Sequence, residues 1–320
     1  MPSSLGPVRV CLPLLSLKQP VLIVVPPSEG INLAFARLLL QRGCSVLIGD
    51  LALRPEAEKL LSEYKSPAPG SSSAPAALFQ RTDVTSWPQI SALMGRAEKE
   101  FPQVDIVVPG AGLFEPAASN FWEAPKTATN PTTRSRDDAN AERGSYLTLD
   151  VNLAHPIRMS QLAIGYWTRH KMPGTLLHVS SCAGHMAGIG TPIYFATKHG
   201  LHGFVRSLGG LRDELGIRVS AVAPGSVKTP LWSDDPDKKA MQGEEDISME
   251  PEEVAEVMLE LCENPKYGDG TILESLKDGT RVVPLFDNPA PTSDRGLAVS
   301  GYNQMQKDLY QKLKTEGLKV

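Results

Sequence analysis

Short apolar runs alternate with longer stretches whose apolar positions recur at helical spacing. Val21 to Val25 is continuously apolar, the pattern of a strand covered on both faces. Ile31 to Arg42 follows, with Ile31, Ala34, Phe35, Leu38 and Leu39 on one helix face, and Gly43 stops it. The same reading predicts a strand over Ser45 to Asp50, a helix over Pro55 to Tyr64 and a strand over Ala77 to Gln80. A helix over Trp87 to Phe101 and a strand over Asp105 to Pro109 come next. Lys65 to Pro75, rich in Ser, Pro, Ala and Gly, is a loop. Ala117 to Gly144 has little periodicity and reads as an inserted surface loop. Alternation then resumes: a helix from about Ser145 to Lys171, a strand Thr175 to Ser180, a helix Ile193 to Gly216 and a strand Val219 to Ala223.

Repeated β-α-β units imply an α/β fold, a doubly wound parallel sheet of about seven strands with helices on both faces. We expect one domain over residues 21–285, with extensions at 1–20 and 286–320. In such sheets ligands bind beyond the carboxyl ends of the strands, so chemistry is expected just after each strand.

Composition narrows the function classes. The chain has 320 residues, 41% hydrophobic and 21% charged, with net charge −4, and offers no basic footprint for nucleic acid or an anionic membrane. Cys11, Cys44, Cys182 and Cys262 are too far apart in sequence for a zinc-binding spacing and suit a reducing compartment. Pro13, Lys18 and Pro20 interrupt the N-terminal apolar stretch, which argues against a signal peptide. The expectation is a cytoplasmic protein with no metal, no nucleic acid and no membrane partner.

The segment Thr175 to Leu201 carries the candidate chemistry. Ser181 lies just past a strand, and thirteen residues later Tyr194 and Lys198 stand four apart on a helix, hence on one face. Reducing a ketone requires a proton donor at its oxygen, and a free phenol titrates near 10. A neighbouring ammonium lowers that value, and a serine hydroxyl can orient the same oxygen. A second Tyr-x-x-x-Lys, Tyr310 and Lys314, follows no strand and reads as chance on a solvated helix.

On these residues the chain resembles the short-chain dehydrogenase/reductase family from about Val21 to Leu285. The resemblance implies that Ser181, Tyr194 and Lys198 are catalytic, joined by Asn152 in LDVNLAHP, whose family counterpart holds a water in a proton relay. It implies a nicotinamide cofactor held by Gly30, Ile31, Asp50, Asp83, Val84, Ala111, Gly112 and Lys198, and by Pro224, Gly225, Val227 and Thr229 in APGSVKTPLW. GINLAFARLLL, VPGAGLFEP, NLAHPIRMSQLAI and PEEVAEVMLEL are similar to a fungal branch related to prostaglandin and hydroxyaverantin dehydrogenases. That implies a bulky apolar alcohol or ketone, polyketide-like, and a homodimer or homotetramer built on the helices carrying Asn152 and Tyr194. Leu231, Trp232 and Met241 are candidate substrate contacts. His185, four residues past the serine, is another, beside the plainer reading of a loop histidine. His178 reads as packed, and Cys182 as a small buried residue.

Two departures stand out. Where the family has TGxxxGxG, this chain has Val25-Pro26-Pro27-Ser28-Glu29-Gly30-Ile31-Asn32. Prolines lack the N–H a phosphate would use, and Glu29 adds repulsion where a pyrophosphate rests, whereas the Asn32 side chain can stand near a phosphate without penalty. Where the family has Asn-Asn-Ala-Gly, the chain has Pro109-Gly110-Ala111-Gly112, and the asparagine that braces the central strand is missing. Asp50, at a strand end, favours NAD over NADP by repelling a 2′-phosphate; Arg54 is the one nearby counter-charge. The alternative to a dehydrogenase is a redox-neutral cyclase or dehydratase type of enzyme with impaired cofactor binding.

Overall fold

A computed structural model describes residues 21–25, 30–65, 74–234, 239, 243, 246–285 and 302–320. Pro26, Pro27, Glu29, Cys11 and Met241 lie outside the described residues.

The strands are β1 (Val21–Val25), β2 (Ser45–Asp50), β3 (Ala77–Arg81), β4 (Ile106–Pro109), β5 (Gly174–Val179), β6 (Ile217–Pro224), β7 (Asp269–Leu276) and β8 (Gly279–Val282). They form one sheet in the order β3-β2-β1-β4-β5-β6-β7-β8. All pairs are parallel except β7 with β8. Among the described residues the sheet has eight strands, close to the seven or so expected, and β7 and β8 are the two that the apolar pattern does not give. β8 carries no apolar signal, because GTRV is an exposed edge returned by a tight hairpin.

The helices are α1 (Gly30–Gln41), α2 (Pro55–Glu63), α3 (Trp87–Glu100), α4 (His155–His170), α5 (Pro192–Ser207), α6 (Leu211–Leu215), α7 (Pro230–Ser233), α8 (Pro251–Glu263) and α9 (Tyr302–Glu316). One apolar layer packs α1 and α8 on the sheet through Phe35, Leu39, Ile48, Met258 and Leu273. The opposite layer holds Leu93, Trp167, Leu201 and Val219. The strand order reverses between β1 and β4, so both open toward the same crevice at their carboxyl ends.

Two predicted helices differ. The helix expected over 193–216 is split into α5 and α6, because Gly209 and Gly210 lie where a Cβ would strike the Asp269 carbonyl and the Tyr310 hydroxyl. The long helix begins with a turn at Leu147–Leu149 and a π-helical turn at Asp150–Ala154 before α4. Such π turns gather at functional positions, and this one contains Asn152. The inserted segment is a surface loop, as expected, and is cross-tied: Thr148 Oγ1 donates to the Ser119 carbonyl at 2.9 Å, and Arg134 pairs with Glu123 at 2.9 Å.

The second Tyr-x-x-x-Lys is structural. Tyr310 packs against Gly210, Lys314 pairs with Glu214, and Leu313 is buried. α9 thus docks on the core instead of standing in water, far from Ser181.

Candidate active site

Ser181 leaves β5 in extended conformation and caps the short turn Cys182–His185, its Oγ accepting the Ala183 N–H at 3.2 Å. Tyr194 sits in the first turn of α5. Lys198, one turn on, is buried and donates from Nζ to the Val179 carbonyl at 3.1 Å. Its ammonium stands 5.6 Å from the Tyr194 ring centre. The three side chains line one cavity of about 480 Å³.

Burial sets the titration of this group. It lowers Lys198 to about 8, since desolvation disfavours the ammonium. It raises the Tyr194 phenol above its ordinary value, with the Ser181 hydrogen bond pulling the other way. The spacing predicts a phenol depressed by the ammonium; the shift is instead upward, with desolvation its leading cause, and Lys198 spends a hydrogen bond on a backbone carbonyl. The phenol therefore holds its proton at neutral pH and can act as a donor.

Asn152 is buried, and its amide clasps the backbone of Leu113: Oδ1 accepts the N–H at 2.7 Å and Nδ2 donates to the carbonyl at 2.8 Å. This ties the loop after β4 to the π turn. Gly112 lies between Asn152 and Lys198, where a Cβ would be 3.9 Å from Oδ1 and 3.8 Å from Nζ. The side chain is thus a brace beside the lysine.

The cofactor candidates divide by strand. Gly30 opens α1 at φ 58°, a conformation that favours glycine. A Cβ there would reach Thr229 Cγ2 at 3.0 Å, so these two predicted contacts adjoin. Pro224 ends β6, Gly225 donates to the Ser275 carbonyl at 3.0 Å, and Val227 forms a bridge to Met249. Gly30, Ile31, Gly112, Pro224, Gly225, Val227 and Thr229 line the same cavity as Ser181. Ala111 is buried beside it. Asp50 ends β2, one strand over, with Oδ1 accepting the Leu51 N–H at 2.6 Å. Asp83 turns Oδ1 back onto Thr85, and Val84 is half-buried against the core. Arg54 pairs with Asp234 on the surface.

Asn32 lines the same cavity, with its amide turned to the neighbouring strand end. It is buried, and Nδ2 donates to the Gly110 carbonyl at 3.0 Å. A Cβ at Gly110 would collide with that amide. The asparagine missing from the loop after β4 is thereby replaced by one from α1, which fills the space that Gly110 leaves empty.

The substrate candidates separate. Leu231 and Trp232 line the cavity; most of 235–245, including Met241, is outside the described residues. His185 is not a lining residue. Its Nε2 meets the buried carboxylate of Glu274 at 2.7 Å, which Arg281 holds ionised below the usual carboxylate range. A loop histidine beside a buried acid turns toward the acid. Cys182 is only half-buried and lines the cavity. With His185 and Glu274 it has the composition of a metal site, yet Arg281 already engages both Glu274 oxygens.

Sequence reasoning missed Phe114, Glu115, Met186 and Phe195. Phe114 sits between Tyr194 (edge to face, 4.8 Å between ring centres) and Trp232 (tilted, 4.9 Å), and with Met186 and Phe195 it makes the cavity wall apolar. The rule that ligands collect beyond strand ends would have reached Phe114, five residues past β4. Glu115 has no local signature.

A family model for short chain dehydrogenases matches residues 20–240. The chain belongs to the short-chain dehydrogenase family. It is an oxidoreductase of the alcohol dehydrogenase or ketoreductase kind, acting on a hydroxyl or ketone with NAD(P). The cis-4-hydroxycyclohexanecarboxylate dehydrogenase of Sinomonas cyclohexanicum is 32% identical over 74% of this chain and 87% of its own length. The short-chain dehydrogenase/reductase ATR7 of the fungus Stachybotrys chlorohalonatus is 26% identical over 62% of this chain, which spans about half (52%) of that relative. The rat (Rattus norvegicus) 15-hydroxyprostaglandin dehydrogenase [NAD(+)] is 27% identical, covering 66% of this chain and 69% of the relative. In fold the chain is similar to a short-chain type dehydrogenase/reductase from Mycobacterium marinum, with TM-score 0.64 and 20% identity, covering 82% of this chain and 95% of that one. Among the described residues no helix is long and apolar enough to cross a membrane.

Proposed function

We propose that this dehydrogenase uses NAD(H) to interconvert a hydroxyl and a ketone on a bulky apolar molecule, polyketide-like in kind. The observation that carries the reading is the convergence of Ser181, Tyr194 and Lys198 on one cavity walled by Phe114, Phe195 and Trp232.

The residues present fit the cofactor. Gly30 at positive φ opens α1, whose N-terminus favours an anion, and Gly112 adds no side chain to the cavity at the neighbouring strand end. Gly30, Ile31 and the Pro224-to-Thr229 segment would hold the dinucleotide, with Asp50 at the adenosine ribose and Asp83 and Val84 toward the adenine. When bound, NAD(H) supplies or accepts the hydride. Tyr194 donates its phenolic proton to the carbonyl oxygen during reduction and takes it back during oxidation. Ser181 hydrogen-bonds that oxygen and orients it. Lys198 stabilises the phenolate left behind. Asn152 fixes the Leu113 backbone beside Lys198, where a water can carry protons onward.

Pro26, Pro27 and Glu29 favour weak binding of the pyrophosphate, because they remove donors and add charge. Calorimetric titration with NADH tests this. Pro26→Gly with Glu29→Ser is expected to tighten binding. Conversion of the true substrate by a wild type that binds neither NAD(H) nor NADP(H) at millimolar concentration would establish the redox-neutral alternative, with Tyr194 serving as an acid alone.

The homodimer or homotetramer that the family resemblance implies would be built on α4 and α5. Sedimentation at micromolar protein checks it, and a monomer would overturn it.

A further inference from the structure

The inserted loop leaves an apolar ledge beside the pocket mouth that folding does not require. Phe121 is 53% exposed, Trp122 60%, Met186 55% and Ile189 81%. Single exposed apolar side chains are ordinary, whereas a group of them marks a contact surface. Three of them, Phe121, Trp122 and Ile189, are held together. The Phe121 and Trp122 rings meet edge to face at 4.9 Å, and Trp122 Nε1 donates to the Ile189 carbonyl at 2.7 Å. That bond uses the one donor the indole has, so the ring presents apolar surface alone.

The ledge is also fixed relative to the reacting centre. Glu115 accepts the Phe121 N–H on Oε1 at 2.9 Å and the Tyr194 N–H on Oε2 at 2.8 Å. It is continuous with the pocket: Met186 and Phe195 line the cavity, and Gly188 lies so close to the Phe195 ring that a Cβ would come within 2.5 Å. Apolar surface therefore runs from Tyr194 through Phe195 and Met186 to Ile189 and Trp122. A cavity of about 480 Å³ must also admit the nicotinamide end of a cofactor, so a long substrate has to extend out of it.

We propose that this ledge is an outer subsite for the hydrocarbon tail of an elongated secondary alcohol or ketone, with Trp122 and Ile189 setting the preference for length. The proposal rests on the reading of Ser181, Tyr194 and Lys198 as the reacting centre. The tail is favoured over a second copy of the chain because the surface leads directly into the cavity.

The test is a series of unbranched methyl ketones, 2-pentanone to 2-decanone, titrated calorimetrically with NADH present and absent. Affinity should keep rising by about fourfold per added methylene through the longest members. Trp122→Ala should weaken 2-decanone by roughly tenfold and leave 2-pentanone unchanged, with KM following the same split and kcat constant. Ile189→Ser keeps the backbone carbonyl that Trp122 uses and should give a smaller loss of the same kind, so a misfolded Trp122 variant would not decide the matter. Affinities that level off at short chains, or that are equal in the variants and the wild type, overturn the subsite. Unchanged ketone affinities with a dissociated oligomer in Trp122→Ala would make the ledge a subunit contact and also overturn it. Length-dependent binding without turnover of any ketone supports the ledge and refutes the dehydrogenase reading of the centre.

Discussion

The carboxylate of Glu115 caps the backbone N–H of Tyr194 at 2.8 Å. Helix α5 needs that cap, because Thr191 at its N-cap position makes no side-chain bond and first-turn N–H groups have no partner within the helix. Glu115 is 3% exposed and held at φ 32°, a strained setting for a residue other than glycine, costing of order 1 kcal/mol or more. The two backbone bonds and the favourable charge at a helix N-terminus offset it.

Glu115→Ala should therefore lower stability by about 2 kcal/mol and kcat by roughly tenfold or more, since the phenol loses its fixed position. Glu115→Gln keeps an acceptor and should recover much of both. Denaturant melts and steady-state kinetics check it. Unchanged kcat in a destabilised Glu115→Ala would leave the residue a purely structural cap.

Tyr194→Phe should reduce turnover by about 10²–10⁴-fold with an unchanged melting temperature. Tyr310→Phe should leave turnover intact, since that hydroxyl faces Gly210 in the α9 contact. Comparable losses in both variants would mean that the wrong tyrosine has been assigned.

Ketone reduction should fall above about pH 8, where Lys198 loses its proton and no longer stabilises the phenolate that reduction leaves. Alcohol oxidation should rise with pH, because Tyr194 must first part with a proton that burial makes it hold. The pH profile of kcat in each direction shows this. Lys198→Gln should erase the break near pH 8.

Acid should destabilise the fold through its buried histidines. Burial lowers His155 to about 4, His178 to about 3 and His202 to about 3, all below the unfolded value of 6.5. Below that value the unfolded chain binds more protons, so stability drops as pH falls toward 4. Each ring costs up to about tenfold in the folding equilibrium per pH unit. Denaturant midpoints at pH 7 and 5 measure it, and His178→Leu should shrink the difference.

NAD(H) should bind about tenfold or more tightly than NADP(H), because Asp50 faces a 2′-phosphate with like charge. Arg54, the counter-charge nearest in sequence, is paired with Asp234, and Arg81 ends β3 opposite Asp50. The exposed pair of Arg54 with Asp234 is worth at most about 1 kcal/mol, so Arg54 could be recruited, and Asp50→Ala should let NADP(H) approach parity. Tighter NADP(H) binding by the wild type would reverse the assignment.

Six of the seven parallel strands were legible because a strand covered on both faces must be apolar throughout, as in β2 and β6; β7 was not, since Asp269 and the buried Glu274 interrupt its apolar run. The Tyr194–Lys198 spacing was legible because helical geometry alone puts the two side chains together. Features made by chain segments distant in sequence were not. Gly209 looks like any helical glycine until β7 arrives beside it. Glu115 meets its partners 6 and 79 residues away. His185 has an acid 89 residues on, and no window along the chain contains both.

The exchange of Asn32 for the side chain missing at Gly110 makes the two positions mutually dependent. Gly110→Asn alone would drive two side chains into one space. Asn32→Gly alone would open a void and strip the Gly110 carbonyl of its donor. The paired exchange restores the volume. A library that varies one position at a time would score both sites as intolerant, while the double variant sits beyond a barrier that neither single step crosses.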